Sequence, residues 1–357
     1  MEEKGAVKEY YGKILTSTDD LKTTAVVQCS RKTEKLPKFV LDALGLVHVD
    51  ISSRAYGCAT SYPEALDGAR VLDLGSGCGR DCFVLSNLVG ESGEVVGLDM
   101  TDELLKLASD KIEYHTLKYG YSKPNVKFVK GYMEKLEEAG LDDNYVDVIV
   151  SNCVISLCRD KKAVLREAYR ALKPGGELYF SDMYRDGVLP SDVLDDEIMW
   201  CEGLIGALTY KELHAIAEEL GFSVPRIVRA DLMPVLDEGI KQRLGNVRYA
   251  SVSYRLFKKS NMANLSVTSE AIYNGQIKGF EDELKFDALY TFKAGKRVAI
   301  DDILAEILTT SRFSKYFEVK QAKEDPQELP NLDIDPFAYI EKSLSKSACS
   351  GSKSCCA

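Results

Sequence analysis

The chain has 357 residues, 45% of them hydrophobic and 29% charged, which is long enough for two domains and too apolar for a disordered chain. Lys and Arg number 46 against 56 Asp and Glu, so the formal charge of −10 has the wrong sign for a general nucleic-acid binder. No apolar run is long enough to cross a membrane, and MEEKGAVKEYYGK lacks the pattern of a secretory leader, so the expectation is a cytoplasmic protein.

Residues 1–65 read as an N-terminal extension, helical in patches. From Arg70 onward, strands and helices alternate. ARVLDLG (69–75) is a short apolar strand, followed by a glycine-rich turn and a helix; EVVGLDM (94–100) is the second strand. TDELLKLASDKIEYHTLKYG predicts one helix, with Thr101 as N-cap and Gly120 as stop. VKFVKG (126–131) and the near-continuously apolar NYVDVIVSNCVI (144–155) are strands three and four. KKAVLREAYRAL is a helix ending at Lys173-Pro174-Gly175-Gly176, and GELYFSDM (176–183) is strand five. Two helices then break near Thr209, and SVPRIVRADLM and NVRYASVSYRLFKKS complete the sheet.

The alternation predicts an α/β, doubly wound, mostly parallel sheet over 66–260. The β-rich segment from Asn261 to Ser345 reads as a small α+β domain, and 346–357, KSACSGSKSCCA, as a disordered tail.

Ten cysteines, at 29, 58, 78, 82, 153, 158, 201, 349, 355 and 356, include no C-x2-C pair of the kind structural zinc uses. A small buried hydrophobe is the ordinary role for most of them. There are three histidines, His48, His115 and His214, and none falls at the end of strand four or five.

Val71-Leu72-Asp73-Leu74-Gly75-Ser76-Gly77-Cys78-Gly79-Arg80-Asp81 carries the chemistry. A dinucleotide loop reads G-x-G-x-x-G. Here the spacing is G-x-G-x-G, with Asp73 two residues before the first glycine, where a carboxylate suits an ammonium better than a pyrophosphate. Asp99, closing the second strand, can accept from both hydroxyls of a ribose. An amino acid joined to an adenosine satisfies both acids, and that ligand is S-adenosylmethionine. The pattern resembles the seven-stranded S-adenosylmethionine-dependent methyltransferases. The resemblance puts Asp73, Gly75, Ser76 and Gly77 at the methionine end, Asp99 and Met100 at the ribose and adenine, Met133 and Glu134 at the adenine edge, and Asn152 at the end of strand four.

Strand four ends Ser151-Asn152-Cys153-Val154-Ile155-Ser156, with a thiol where many methyltransferases place a polar or acidic group. Tyr10-Tyr11-Gly12-Lys13, Tyr56-Gly57-Cys58, DLGSGCGRDC, SNCVI, GGELYFSD and IKGFEDELKFD resemble the eukaryotic arsenite methyltransferases from about Glu9 to about Ser345. That family methylates trivalent arsenic held by cysteine thiolates. The resemblance implies Cys29 and Cys58 as an N-terminal pair and Cys153 as the strand-four ligand, with arsenite and methylarsenite as substrates. It also implies thioredoxin or glutathione as reductant; the acidic charge and the lack of a spanning run give no nucleic-acid or membrane partner, and a monomer is expected.

The family's remaining ligand lies three residues after a tryptophan, as in W-G-E-C. This chain reads Trp200-Cys201-Glu202-Gly203. Cys201 is the expected substitute, although a two-residue shift on a regular helix turns a side chain by about 200°. Cys58, Cys153 and Cys201 are then the arsenic(III) ligands. Two alternatives stay open: a small-molecule C- or O-methyltransferase, which would ignore arsenite, and a metalloid-binding protein, which would bind it without producing S-adenosylhomocysteine.

Overall fold

The computed structural model describes residues 3–14, 36–54, 62–260, 269–322 and 329–350. Its centre is a seven-stranded sheet: β1 (Arg70–Leu74), β2 (Glu94–Asp99), β3 (Val126–Lys130), β4 (Val146–Asn152), β5 (Leu172–Arg185), β6 (Arg226–Met233) and β7 (Tyr249–Phe257). The order is β3-β2-β1-β4-β5-β7-β6, with β7 antiparallel to both neighbours. Leu72 pairs with Val96 on one side and Ile149 on the other, and all three are fully buried. A strand covered on both faces can carry such an unbroken apolar run. The strand order reverses between β1 and β4, and a doubly wound sheet opens its ligand crevice at the carboxyl ends of the strands at such a switch.

Local structure departs from expectation where an interaction interrupts a pattern. The stretch 101–120 forms two helices, Asp102–Ser109 and Ile112–Tyr119; between them Lys111 leaves helical geometry (φ −108, ψ 3), and its ammonium pairs with Asp50 at 2.7 Å. Thr101 occupies the N-cap position without a side-chain cap bond; its amide donates to Asp99 Oδ1 instead. Thr209 does start a helix, Tyr210–Leu220, through a reciprocal capping box with Glu212. β5 begins at Leu172, earlier than expected. It takes in the Lys173–Gly176 turn through a register shift against β4.

The C-terminal unit joins a three-stranded sheet of β8 (Ser269–Tyr273), β11 (Arg297–Ile300) and β12 (Phe317–Gln321) to a hairpin of β9 (Glu283–Lys285) and β10 (Thr291–Lys293). Its aromatic core includes Phe257 of β7, so it is built onto the main sheet. Arg255 of β7 is wholly buried and bonds Glu177 at 2.6 Å, Glu64 at 3.1 Å and the Phe286 carbonyl at 2.6 Å. Arg226 of β6 clamps Asp287 and Asp301 at 3.0 and 2.7 Å. The helix Pro336–Ser350 lays Phe337 and Ile340 into the core of the main sheet and continues past 345, into the segment expected to be a disordered tail.

Candidate active site

A cavity of about 800 Å³ opens at the carboxyl ends of β1, β2, β4 and β5. Asp73, Gly75, Ser76, Gly77, Asp99, Met100, Met133, Glu134 and Asn152 all line it, together with Cys153. Gly75, Gly77 and Gly79 have φ of +72, +53 and +85, a region where a side chain is strained. A Cβ on Gly75 would lie 2.7 Å from Val154, so the loop after β4 rests directly on the first turn. A Cβ on Gly77 would meet nothing within 4 Å and would project into open space. The Ser76 hydroxyl is buried without a hydrogen-bond partner. An orphaned donor, an open glycine face, the buried Asp73 and the half-buried Asp99 make a cradle that fits S-adenosylmethionine.

Asp99 Oδ2 accepts from the Gly77 amide and Oδ1 from the Thr101 amide, both at 2.8 Å. These bonds lock the carboxylate in place and leave lone pairs for the hydroxyls of a ribose. Burial pushes its pKa above the usual carboxylate value, against the pull of those amides. Asp73 is buried, accepts a thiol hydrogen bond from Cys82 at 3.2 Å, and is pushed up to about 7 by burial and by the nearby Asp81. Asp81 behaves oppositely. Burial works against its charge, yet Arg80 at 2.8 Å and the Tyr62 hydroxyl at 2.8 Å hold it below the usual carboxylate range. The sequence reading gave no role to Arg80 or Asp81, although both stand at the end of the glycine-rich motif and line the cavity.

Cys153 follows β4 in a left-handed conformation, φ +56, which among the described residues only two other non-glycine residues share. Its amide donates to the Ser181 carbonyl of β5 at 2.8 Å. A strained backbone held between two central strands marks a position that the surrounding fold over-determines. Cys153 is disulfide-bonded. Cys29 and Cys58 lie outside the described residues.

The structure does not bring Cys201 to the cavity. It ends the short helix Glu197–Cys201 and packs, 3% exposed, against Ala6, Val7 and Tyr10. Glu202 and Gly203 line the cavity instead, with Gly203 at φ +81 terminating the helix and facing Ser156. Two further thiols line the wall, Cys78 and Cys158. Burial raises Cys78 to about 11, Cys158 to about 12 and Cys201 to about 11, so each is a protonated thiol at neutral pH. The described residues contain no cluster of three metal-ligating side chains.

A doubly wound sheet with an acid just before its glycine turn and a second acid closing the next strand defines the class of S-adenosylmethionine-dependent methyltransferases. Residues 65–221 match the methyltransferase domain family, and residues 266–357 match the arsenite methyltransferase C-terminal domain family. The human arsenite methyltransferase is 44% identical over 96% of this chain and 93% of its own, and the mouse protein 43% over 98% and 95%. The crystal structure of an arsenic(III) S-adenosylmethionine methyltransferase from Chlamydomonas reinhardtii superposes with a TM-score of 0.78. It shares 35% identity and covers 83% of this chain and 100% of its own. The chain belongs to the arsenite methyltransferase family.

Proposed function

We propose that the protein transfers methyl groups to trivalent arsenic held by cysteine thiolates, giving mono- and dimethylated arsenic. Cys153 carries this reading, as a soft ligand at the carboxyl end of β4, on the wall of the cavity that cradles the methyl donor. Cys58, in the N-terminal extension, is the further ligand for inorganic arsenite, and Cys29 its redox partner.

Asp73, Gly75, Ser76 and Gly77 hold the methionine end of S-adenosylmethionine, Asp99 and Met100 the nucleoside, and Met133 and Glu134 the adenine edge, with Asn152 beside Asp81 at 3.4 Å. When bound, that molecule supplies an electrophilic methyl on a sulfonium, which the arsenic lone pair takes as S-adenosylhomocysteine leaves. The chain's part is alignment and exclusion of water. A lone pair needs no general base, in keeping with the absence of histidine from the cavity wall. Protonated thiols suit arsenite: each gives its proton to a departing hydroxide, which leaves as water while an arsenic–sulfur bond forms.

Methyl transfer takes arsenic from the trivalent to the pentavalent state. Two thiols closing to a disulfide return two electrons, and thioredoxin or glutathione reopens it. The oxidised state of Cys153 supports such a cycle and involves the strand-four thiol itself, beyond the Cys29–Cys58 pair of the sequence reading. We place the protein in the cytoplasm as a monomer acting in arsenic detoxification. The test is S-adenosylhomocysteine release with and without arsenite: stimulation by arsenite supports the reading, and turnover on an organic acceptor alone contradicts it.

A further inference from the structure

The segment Glu3–Ile14 spans both halves of the cavity. Its helix Glu3–Glu9 has seven residues and runs into a π-turn at Tyr10–Ile14. So short a helix does not persist alone, and docking must order it. Lys4, Val7 and Tyr11 line the cavity. On the nucleoside side, Lys4 pairs with Glu134 at 2.9 Å and Lys8 with Asp102 at 2.9 Å. Gly12 presses on the same wall, since a Cβ there would lie 2.9 Å from the Thr101 methyl. On the acceptor side, the buried Tyr10 hydroxyl donates to Glu202 Oε1 at 2.5 Å and the Tyr11 hydroxyl to the Cys201 carbonyl at 3.1 Å. Ala6, Val7, Tyr10 and Cys201 form one apolar cluster, with Met100 and Leu157 packed against it.

We propose that Glu3–Ile14 is a clasp that closes over the bound cofactor and ties the nucleoside wall to the acceptor loop Trp200–Gly203, with Tyr10 and Cys201 as positioning residues. Both lysines keep solvent contact, so the pairs set register more than they stabilise. The holding force is the apolar cluster and the buried hydroxyl–carboxylate bond. Cys201 therefore serves by volume, as the floor on which Tyr10 and Val7 sit, and its thiol stays off the arsenic. The inference rests on the cavity being the cofactor site.

Hydrogen exchange and calorimetric titration with S-adenosylmethionine test it on the full chain. In the wild type, cofactor slows exchange over both 3–14 and 197–203. Gly12→Val, which obstructs docking by crowding the Thr101 methyl and the Glu103 carboxylate, and Tyr10→Phe each abolish the slowing at 197–203 at saturating cofactor, and weaken affinity by roughly tenfold. Cys201→Val, of similar size, holds affinity and exchange within about twofold of wild type, whereas Cys201→Asp resembles Gly12→Val. Slowing at 197–203 that survives in Gly12→Val with unchanged affinity overturns the clasp. A Cys201→Val protein with normal affinity and exchange that methylates neither arsenic substrate puts the thiol on arsenic and overturns its assigned part. A wild-type protein that takes up no cofactor removes the site reading itself.

Discussion

A carboxylate offers about four lone-pair positions, and Asp99 gives two of them to the amides of Gly77 and Thr101. The same bonds that hold it rigid leave it aimed at a diol. Asp99→Ala removes a charge-assisted acceptor and should weaken cofactor affinity by roughly ten- to hundredfold in a protein that stays folded, as measured by calorimetric titration. Asp73 adds a pH dependence. In the empty site its carboxyl is raised to about 7, chiefly by burial, so at pH 8 it is ionised and ready for an ammonium. At pH 6 it is mostly protonated, and uptake of a cation must expel that proton. Affinity should fall by up to about tenfold per unit below pH 7, with close to one proton released per cofactor bound at pH 6. Asp73→Asn should flatten the dependence; an unchanged slope in that variant would assign it to another group. For the empty fold the sign is opposite. A carboxyl raised from 3.8 to about 7 costs stability as pH climbs through that window.

Glycines mark where elements meet. Gly175, at φ +76 before the straight part of β5, would put a Cβ 2.6 Å from the Thr310 carbonyl in the C-terminal unit. Gly175→Val therefore combines left-handed strain with a backbone clash and should cost about 2 kcal/mol or more, read as a lower midpoint in chemical denaturation. The sheet was legible because its strands are apolar runs closed by turn residues: β1 to β4 fall within a few residues of the expected segments. The residues expected at the cofactor do gather on one cavity, since glycine spacing and the acids near the ends of two adjacent strands are properties of local sequence. What could not be read were features set by tertiary partners. Lys111, at the break between the two helices, meets Asp50, sixty-one positions away, and the contacts of Tyr10 and Tyr11 lie on a loop near residue 201. Cys201 shows the limit most clearly. The rotation argument assumed a regular helix, but the helix ends at Cys201 and Gly203 turns left-handed, so neighbours face opposite ways.

The whole molecule is joined through buried charge. Arg255 meets Glu177 and Glu64 in the interior, and Arg312 also reaches Glu177 at 2.5 Å, so the methyltransferase sheet and the C-terminal unit share one ionic centre. Arg255→Met would leave two carboxylates without their main partner, and breaking such a centre on one side costs about 3–5 kcal/mol. The expected result is loss of a single cooperative unfolding transition. Retention of wild-type stability would show that the network contributes nothing net.

That joined scaffold holds Cys153 on the wall of the methyl-donor cavity, and the central claim is that its sulfur, once reduced to the thiol, binds the methyl acceptor. Arsenite-stimulated release of S-adenosylhomocysteine, measured for the wild type and for Cys153→Ser at saturating cofactor and thiol reductant, tests it most directly. A hydroxyl is a hard, weakly acidic replacement for a thiolate. The account predicts strong stimulation in the wild type and none in Cys153→Ser, with either arsenite or methylarsenite. A Cys153→Ser protein that methylates arsenic at the wild-type rate would contradict it.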